Sequence, residues 1–505
     1  MSPTKEATSR PSVSLTQFPP LVKTLGEFFA SQGVSAYLVG GVVRDALLGR
    51  QTWDVDLAVD GETGDLGAGL ARLLGGRSIL LDEARGIVRV VVSREGWAET
   101  IDLTSAPDGI AADLSRRDFT LDAMAVPLSK PWVEMERIEV VDPYGGAEAA
   151  RSGVIRAISA SAFEDDPARL LRGPRLAAQL RFALAEETAE LIRSQAHLVT
   201  QVAPERVREE MLKLLAEPSA SLSLRLLDDL GLLCLVIPEL EEARGVAQPP
   251  EHHWDVLEHC IETAGQVETL FGSQEASGAD GLVHEFLPPF EDAEAYFSEE
   301  VSDGHSRMTL LKLAGLLHDV AKPATKTVES SGRMRFLGHH HQGSEMAVET
   351  LSRLRLSRRG VELVGRMVEH HLRPRQMAQK GELPSQRAVY RYYRDLGDAA
   401  VDTLYLNMAD YLAARGPLLG REEWAEHCRI VGHILRGGSA QTPPEGPHRL
   451  IDGRDIMQAF SMEPGPRIGT LLEVVREAQA SGEITSKEEA LELVKSKLSA
   501  GGEVA

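Results

Sequence analysis

Residues 37–59 contain a strand, a glycine turn, a helix and a second strand in direct succession. Tyr37-Leu38-Val39 is a short apolar run that predicts a buried strand, and Gly40-Gly41 predicts the turn after it. Residues 42–48 then predict a helix that ends at Gly49. This succession is typical of an α/β layer, and it constrains the fold of the N-terminal part of the chain more than any other feature.

The second strand of this unit carries two carboxylates that point the same way. Because side chains alternate along a strand, Asp54 and Asp56 share one face of residues 53–59, while Val55 and Leu57 face a core. Mg²⁺ prefers oxygen ligands, commonly one or two carboxylates together with substrate phosphates. The unit therefore predicts a phosphate and Mg²⁺ site. The alternative is a pair of solvated aspartates beside an ordinary turn.

Strand signals are confined to the first part of the chain. Short apolar runs at residues 78–81, 87–92 and 100–103 predict strands, and residues 65–74 predict a helix. From residue 162 onward, apolar residues recur at helical spacing. The sequence thus predicts an α+β protein in which an α/β head is followed by an all-helical remainder.

An acid and a pair of arginines in the head are candidates for the same chemistry. Alternation places Ile101 and Leu103 inward and Asp102 on the other face, where its carboxylate could orient or deprotonate an attacking hydroxyl. Arg116-Arg117 precede an apolar, helix-like run that begins after Asp118, and guanidinium groups offer forked donors suited to a polyphosphate. The alternative for the arginines is an ion-paired helix cap.

Residues 165–172 predict the start of a helix, with an aspartate cap and Pro167 at the first helical position. On such a helix Asp166 and Arg169 share a face. A carboxylate beside a guanidinium offers acceptors and donors together, which is the set needed to read a base edge. An intrahelical salt bridge is the alternative.

Histidine and aspartate residues recur along the helical second half of the chain. They are His259, His318-Asp319, His339-His340-His341, His370-His371 and Asp410. Helical bundles build metal cages from such residues on several helices, since imidazole suits transition metals and carboxylate broadens the choice.

Taken in order, the motifs of the head and neck resemble the bacterial-type (class II) tRNA nucleotidyltransferase and poly(A) polymerase family. The likeness runs from about residue 37 to residue 215. It includes the glycine turn, Asp54-Val55-Asp56, Arg-Arg-Asp-Phe-Thr at residues 116–120 and Asp-Pro-x-Arg at residues 166–169. The resemblance implies a nucleotidyltransferase head of the polymerase beta-like type.

The resemblance also implies roles for individual residues. Asp54 and Asp56 would bind Mg²⁺, and Asp102 would be the third catalytic carboxylate. The nucleotide-binding residues would be Gly40, Gly41, Arg44, Asp45, Arg117, Asp118, Asp166, Arg169 and Arg172. Asp166 and Arg169 would select the base, and the helix holding residues 205–210 would support the base-reading helix.

The chain departs from the family's pattern at Gly173-Pro174-Arg175, where the family usually has an Ala-Val-Arg-like run, and in two further features. Asp122 stands where the family usually has Asn. The stretch between Asp102 and Arg116 is short, whereas many members that add the full CCA carry a longer flexible loop there. The last of these departures leaves the added sequence open.

His318-Asp319 within an apolar helix, with the other histidines in order, resembles the HD phosphohydrolase domain, which follows this head in many bacterial tRNA nucleotidyltransferases. The resemblance implies a divalent transition metal, of open identity, in this domain. Its ligands would be His259, His318, Asp319 and Asp410, with His339 and His371 as second-metal or phosphate contacts. Hydrolysis of a phosphoester, such as a 2′,3′-cyclic or 2′-phosphate end, is the expected activity; a purely structural role is the alternative.

Charge restricts the ways in which this chain contacts RNA. A net charge of −22 argues against a uniformly basic surface. Basic residues concentrated between residues 353 and 394 are a candidate RNA-binding face, with a solvated helical face as the alternative. Residues 271–303 are acidic and lack lysine and arginine, which predicts an exposed and partly disordered insertion.

Cysteine and apolar patterns indicate a cytoplasmic protein. The three cysteines are widely spaced and form no CxxC pair, so no disulfide framework or zinc knuckle is expected. No apolar run is long enough to cross a bilayer, and the N-terminus lacks the apolar core of a secretory signal. The oligomeric state is left open.

These expectations combine into one prediction. The domains would be a head at residues 1–150, a helical neck at 151–235, an HD domain at 236–436 with the acidic insertion at 271–305, and a helical tail at 437–505. The enzyme would add C and A nucleotides (CCA) to the 3′ end of tRNA from CTP and ATP, without a template and with release of pyrophosphate. The alternatives are a poly(A) polymerase, a partial CC- or A-adding enzyme, an HD phosphodiesterase, and an RNA-binding module without chemistry.

Overall fold

The computed structural model describes residues 11–94, 97–128, 137–272, 279–378, 381–441 and 449–499. The chain divides into two compact units, Met1–Glu210 with Leu226–Val236 and Met211–Arg225 with Ile237–Ala505. Strands are concentrated in the first unit and helices dominate the second, which confirms the α+β class. The finer division into head, neck, HD domain and tail stays a prediction.

Strands and helices are labelled in chain order. The strands are β1 Ser12–Ser14, β2 Ala36–Val39, β3 Asp54–Val59, β4 Arg77–Asp82, β5 Ile87–Arg94, β6 Trp97–Ser105, β7 Ala125–Pro127, β8 Arg137–Glu139, β9 Val154–Ile155, β10 Ala183–Leu184, β11 Glu300–Ser302, β12 His305–Ser306, β13 Lys326–Val328 and β14 Met334–Phe336. The helices up to residue 236 are α1 Leu21–Gln32, α2 Gly41–Leu47, α3 Thr63–Leu74, α4 Ile110–Ser115, α5 Gly146–Ser152, α6 Ala162–Asp165, α7 Arg169–Leu180, α8 Glu186–Gln195, α9 Pro204–Ala216, α10 Ala220–Asp229 and α11 Leu233–Val236. The later helices are α12 Val256–Thr269, α13 Ala279–Phe286, α14 Ala293–Ser298, α15 Arg307–Leu317, α16 Lys322–Thr325, α17 His339–Arg353, α18 Arg358–His370, α19 Arg373–Gln376, α20 Gln386–Leu396, α21 Ala400–Arg415, α22 Arg421–Gln441, α23 Gly453–Phe460, α24 Pro466–Ala480 and α25 Lys487–Ser499. None of the helices in the described ranges is long and apolar enough to span a membrane.

A mixed sheet lies at the centre of the first unit. Among the described residues its six strands follow the order β4-β5-β6-β3-β2-β7. Strands β3 and β6 are parallel, and their inward side chains, including Val55, Leu57, Ile101 and Leu103, are buried in one hydrophobic core. The alternation predicted for these strands is confirmed, and it leaves the aspartates on the opposite face.

The run after Asp118 does not form the helix-like segment that its apolar residues suggest. Residues Thr120–Asp122 make a single 3₁₀ turn, and β7 follows directly and pairs with β2, with Val126 opposite Leu38. The expectation of a helix was wrong because pairing with a strand distant in sequence decides the conformation of a short apolar run.

Helices α12, α15, α17, α18 and α21 pack together in the second unit. Helix α15 is buried along almost its whole length, because every residue from Thr309 to Leu317 is inaccessible to solvent. A helix that is apolar on all sides lies at the centre of a bundle. This central position brings the end of α15, where His318 and Asp319 follow, into the middle of the unit.

The acidic insertion is folded where the structure describes it. Helices α13 and α14 bury Val283 and Phe297, and the Phe297 ring lies 4.6 Å from the ring of Tyr405. The Trp424 indole Nε1 donates to the carbonyl of Val283 at 3.0 Å. The prediction of an exposed, poorly ordered insertion is therefore wrong for these residues, since a few apolar anchors outweigh the acidic composition; residues 273–278 lie outside the described residues.

Arg307, at the start of α15, is a buried arginine at the centre of an ion cluster that extends to the surface. Its guanidinium group contacts Glu299 at 2.9 Å, Asp398 at 2.5 Å and the fully buried Asp402 at 3.0 Å. The Tyr296 hydroxyl also donates to Asp402, at 2.7 Å. Glu299 and Tyr296 belong to the acidic insertion, so this cluster holds the insertion against the helices that follow it.

Replacing Arg307 with methionine is expected to lower the free energy of unfolding of this unit by about 3–5 kcal/mol, because the buried charge of Asp402 would lose its cationic partner. The measurement is thermal and urea unfolding of the full chain. The control is Arg358→Met, since Arg358 is 92 % exposed and pairs with Glu362 on the same helix face; its melting temperature should equal that of the wild type. Equal melting temperatures for both variants would contradict a stabilising role for the Arg307 cluster.

The basic run between residues 353 and 394 is largely ion-paired. Arg353 contacts Glu239 at 2.6 Å and Arg373 contacts Asp395 at 2.6 Å. Arginines of α20 contact acids on α24 and just beyond it, as in the 2.5 Å contact between Arg391 and Glu477. The structure therefore favours the solvated, ion-paired face over a free basic surface for RNA.

Candidate functional site

The turn between β2 and α2 requires glycine for two reasons. Gly40 has φ +71°, a backbone conformation that L side chains rarely adopt. A Cβ at this position would lie 2.7 Å from Nη1 of Arg117 and 3.2 Å from Oδ2 of Asp56. The turn therefore brings the backbone, a guanidinium group and a carboxylate together at one point.

The three predicted carboxylates, Asp54, Asp56 and Asp102, lie on one face of the sheet, which we call the carboxylate face. The register pairs Asp56 of β3 with Asp102 of β6, and Asp54 with Thr100, whose hydroxyl donates to the Asp54 carboxylate. Burial raises the pKa of Asp56 to about 6; the charge of Asp102 acts in the same direction and the Arg117 guanidinium opposes it. A cation placed here would relieve the repulsion between the carboxylates.

The donor chemistry of this face fits Mg²⁺. Its groups are carboxylate oxygens, which a hard cation prefers, and the side chain of Asp102 is 24 % exposed and thus reachable from solvent. The sequence-predicted ligands are neighbours across two strands. Tighter groups also occur. Among the described residues, sets of three or more histidine and aspartate side chains with all ligand atoms within 4.8 Å of one another are found only in the second unit.

An arginine-rich cavity of about 240 Å³ lies in the same unit. It is lined by Asp113, Arg116, Arg117, Asp118, Asp166, Ala168, Arg169, Arg172, Arg206 and Glu210. Arg117 connects the cavity to the glycine turn, since the same guanidinium group lies beside Gly40 and donates to Asp113 at 3.0 Å. Five guanidinium groups in one small cavity form a site for a polyanion.

Arg44 and Asp45 do not belong to the described lining of this cavity; they lie behind it. Arg44 is buried and donates to Asp45 at 2.9 Å and to Asp122 at 2.8 Å. Asp122 in turn lies 3.7 Å from Arg172, which also contacts Asp118 at 2.9 Å. The carboxylate that replaces the family's usual Asn thus links the helix after the glycine turn to the cavity.

The pair Asp166 and Arg169 does not share the face of a helix. Helix α7 begins at Arg169, while Asp166 has extended backbone angles, φ −150° and ψ 96°. The prediction of a shared helical face was wrong because Pro167 disfavours the helical conformation of the residue before it. Both side chains still line the cavity.

Arg206 of α9 holds Asp166 from across the cavity. Its two terminal nitrogens donate to the two carboxylate oxygens at 2.9 and 2.8 Å. Partial burial would raise the pKa of Asp166, but the hydrogen bonds from Arg206 keep it below its usual range. Asp166 is therefore an ionised acceptor in a fixed orientation, while Arg169 donates to the carbonyls of Ala162 and Arg116.

The histidines and aspartates of the second unit converge on one buried centre. His259, His318, Asp319 and Asp410 place ligand atoms within 4.8 Å of one another, and so do Asp319, His339 and His371. Nε2 of His259 lies 3.2 Å from Oδ2 of Asp319 and 3.1 Å from Oδ1 of Asp410. Asp319 belongs to both groups, so its carboxylate lies between the two sets of ligand atoms.

Backbone carbonyls fix the orientation of three of these imidazole rings. Nδ1 of His318 contacts the Gly315 carbonyl at 2.8 Å, and Nδ1 of His371 contacts that of Val368 at 2.7 Å. Nδ1 of His339 makes the same kind of contact. A hydrogen bond at Nδ1 leaves Nε2 as the ligand atom, as in metal sites whose second shell orients the histidines.

Unpaired buried atoms show that this centre fits a metal. Nε2 of His339, Nε2 of His371 and Oδ1 of Asp319 are buried and lack a hydrogen-bond partner. Burial would lower the pKa of His318, yet Asp319 and Asp410 raise it to about 10, so a proton is favoured between the two carboxylates. A divalent cation would replace that positive charge, and imidazole with carboxylate suits a transition metal.

The cavity beside this centre measures about 520 Å³ and combines cations with apolar walls. Lys322, Arg335, Arg375 and Arg415 are among its lining residues, together with Phe336. Lys322 is buried and lies 2.5 Å from Oδ2 of Asp319. The combination suits an anionic group attached to a larger, partly apolar molecule.

Two functional contacts of the first unit escape sequence reasoning. Arg206 pairs with Asp166 over 40 positions, and no local pattern predicts that contact. Arg89 pairs with Asp102 over 13 positions. This contact could have been predicted from the register of the hairpin, because strands that pair Arg94 with Trp97 also place residue 89 opposite residue 102.

Models of three protein families match parts of the chain. "Poly A polymerase head domain" matches residues 36–156, "Probable RNA and SrmB- binding site of polymerase A" matches residues 181–244, and "HD domain" matches residues 256–415. The first covers the carboxylate face and part of the arginine cavity, and the third covers every histidine and aspartate of the buried centre.

Similar proteins extend over nearly the whole chain. An A-adding tRNA nucleotidyltransferase of Deinococcus radiodurans is 32 % identical over 462 residues, which cover 90 % of this chain and 94 % of the relative. A CC-adding tRNA nucleotidyltransferase of Thermus thermophilus is 33 % identical over 466 residues, 90 % of this chain and 92 % of the relative. A solved CCA-adding enzyme with CTP shares the fold with a TM-score of 0.63 at 21 % identity, over 97 % of this chain and 100 % of that one.

Proposed function

This chain belongs to the tRNA nucleotidyltransferase and poly(A) polymerase family, and we propose that it extends the 3′ end of tRNA with C and A nucleotides from CTP and ATP. The family membership rests on relatives that are at least 30 % identical over most of both chains. The proposed substrate places the reaction in the cytoplasm. The observation that carries the proposal is the junction, at Gly40, of the carboxylate face with the arginine cavity.

The residues of the first unit divide the work of one nucleotidyl transfer. Arg117 and Arg172 would hold the triphosphate, and Asp102 would accept the proton of the RNA 3′-hydroxyl. The 3′ oxygen forms a bond to the α-phosphorus while the bond from this phosphorus to the bridging oxygen breaks, and pyrophosphate leaves. Divalent cations, when bound by Asp54 and Asp56, supply charge neutralisation of the attacking and leaving oxygens.

The nucleotides added are determined by supplying each one singly. Three tRNA substrates that lack CCA, lack CA or lack only the terminal A are incubated with CTP, ATP, GTP or UTP, and the product ends are sequenced. We expect C on the first two substrates and A on the third. Addition of C alone or of A alone would restrict the enzyme to part of this sequence, as the names of the two relatives indicate for those proteins; long A tails would support a poly(A) polymerase instead.

Arg206 is expected to control the choice of base. Arg206→Met would free the Asp166 carboxylate, so the preference for CTP and ATP over UTP and GTP should fall roughly tenfold, in line with about 1–3 kcal/mol for one bidentate base contact. The measurement is the ratio of kcat/KM values for the four nucleotides. Arg156→Met is the control, since Arg156 pairs with Glu187 on an exposed surface. An unchanged ratio in Arg206→Met would contradict the role of this arginine.

A second activity is proposed for the buried centre of the second unit. The two ligand groups that share Asp319, beside a cavity with cationic and apolar walls, support hydrolysis of a phosphoester. A 2′,3′-cyclic phosphate or a 2′-phosphate at an RNA end is the proposed substrate class. A divalent transition metal held by these residues would supply a water nucleophile at neutral pH.

A further inference from the structure

Arg89 is a fourth charged residue on the carboxylate face, and nothing in the proposed reaction uses it. Strand β5 pairs with β6 so that Arg89 lies directly opposite Asp102, and β6 pairs with β3 so that Asp102 lies beside Asp56. The three side chains therefore form one row across three strands. Asp54 lies in the next row, on the same face.

The contact between Arg89 and Asp102 is a two-point ion pair. Nε of Arg89 donates to Oδ1 at 2.8 Å and Nη2 donates to Oδ2 at 2.7 Å, so both oxygens of the third carboxylate are engaged. No arginine among the described residues forms such a fork with Asp54 or Asp56: Asp54 accepts from the Thr100 hydroxyl, and Asp56 faces Arg117 beside Gly40. Within the part of the chain that the structure describes, Asp102 is thus the carboxylate of the three that a guanidinium group holds at both oxygens.

This ion pair is not a buried structural element. The side chain of Arg89 is 42 % exposed and that of Asp102 is 24 % exposed. A partly exposed pair contributes less to folding than a buried one, so stability alone does not explain its two-point geometry. The open position also means that the guanidinium group can leave Asp102 without creating a cavity.

We propose that Arg89 is a positioning residue that competes with a divalent cation for Asp102. Before substrates bind, the arginine holds the third carboxylate in place and cancels its charge, so that cations are attracted to Asp54 and Asp56 alone. When a cation that uses Asp102 enters, Arg89 releases the carboxylate and its guanidinium group remains beside the anionic substrates. The inference rests on the proposed function only in that the latter assigns cation binding to Asp54 and Asp56; use of Asp102 by a cation is part of the inference itself.

The test measures Mn²⁺ binding to the full chain without RNA or nucleotide. The electron paramagnetic resonance signal of free Mn²⁺ gives the unbound concentration at each step of the titration. The fraction that disappears in the Asp54→Asn, Asp56→Asn variant is assigned to the carboxylate face. Arg89→Gln should tighten this fraction roughly three- to tenfold, because a positive charge near the ion is removed at a partly exposed site. Arg89→Lys keeps the charge but loses the fork, so its Mn²⁺ Kd should lie between that of the wild type and that of Arg89→Gln.

A double-mutant cycle separates competition from a structural effect. In the Asp102→Asn background, Arg89→Gln should no longer tighten Mn²⁺ binding, because the contested carboxylate is gone. The Mg²⁺ concentration for half-maximal nucleotide addition should fall in Arg89→Gln by the same factor as the Mn²⁺ Kd.

Two results would overturn the inference: Mn²⁺ binding in Arg89→Gln that is unchanged or weaker, or tightening that persists without Asp102. Thermal unfolding of each variant reports on folding, and Arg89→Met serves in place of Arg89→Gln if the glutamine variant melts early. The binding readout needs neither RNA nor nucleotide. Absence of nucleotide addition would therefore refute the proposed function and leave the result on Arg89 intact.

Discussion

Simultaneous replacement of Asp54 and Asp56 by asparagine is expected to abolish nucleotide addition, with a loss of at least about 10³-fold in kcat/KM. Asparagine keeps the shape of each side chain and removes the negative charge that attracts a cation to this face. The measurement is incorporation of labelled CTP and ATP into tRNA that lacks its 3′ end. Phosphoester hydrolysis by the second unit, measured in the same preparation, should be unchanged.

Asp60→Asn is the matched control for this experiment. Asp60 is exposed and lies one residue beyond the end of the strand that carries Asp54 and Asp56. Its variant should retain wild-type nucleotide addition. Retained activity in the Asp54, Asp56 double variant would remove these residues from the reaction.

The second large effect is expected in the buried centre of the second unit. His318→Gln combined with Asp319→Asn removes one ligand from the first group and the carboxylate that both groups share. We expect loss of the bound transition metal, measured by elemental analysis, and a decrease of at least about 10³-fold in hydrolysis of 2′,3′-cyclic and 2′-phosphate ends, the scale on which metal-activated water exceeds bulk water at neutral pH. Nucleotide addition should change less than about twofold, because neither His318 nor Asp319 is among the residues that line the arginine-rich cavity or form the carboxylate face.

His341→Gln is the control for this pair. His341 follows the ligand His339 by two residues, and its side chain is 66 % exposed and lies 3.4 Å from Glu369. Metal content and hydrolysis should be those of the wild type. Full hydrolysis in the His318, Asp319 variant would exclude the buried centre as a hydrolytic site, and full metal content would show that the metal is held by other residues.

Local periodicity was sufficient to predict five of the six strands described in the central sheet, and the positions of the aspartates. Val55 and Leu57 are buried and Asp56 lies on the opposite face, because alternation along a strand depends only on backbone geometry. Residue type and order indicated a metal cage in the helical half, and the resemblance to the HD phosphohydrolase domain supplied its ligand set, which the structure brings together. The roles of these residues, as distinct from their places, stay predictions until the variants are measured.

Contacts between segments distant in sequence were not predictable in the same way. The extended conformation of Asp166 and its capture by Arg206 depend on how α9 packs across the cavity. The strand β7 replaced an expected helix because its partner β2 lies some ninety positions earlier. The acidic insertion is folded because the Phe297 ring packs against Phe271 and against Tyr405 of a later helix.

The most direct measurement counts pyrophosphate released per nucleotide joined to tRNA in a single turnover. Labelled tRNA that lacks its 3′ end is mixed with excess enzyme, Mg²⁺ and CTP or ATP, and both products are quantified over the same time course. A nucleotidyl transfer in the first unit predicts one pyrophosphate for each added nucleotide, and neither product in the Asp54, Asp56 double variant. Extension without pyrophosphate, or no extension of any truncated tRNA by the wild type, would contradict it.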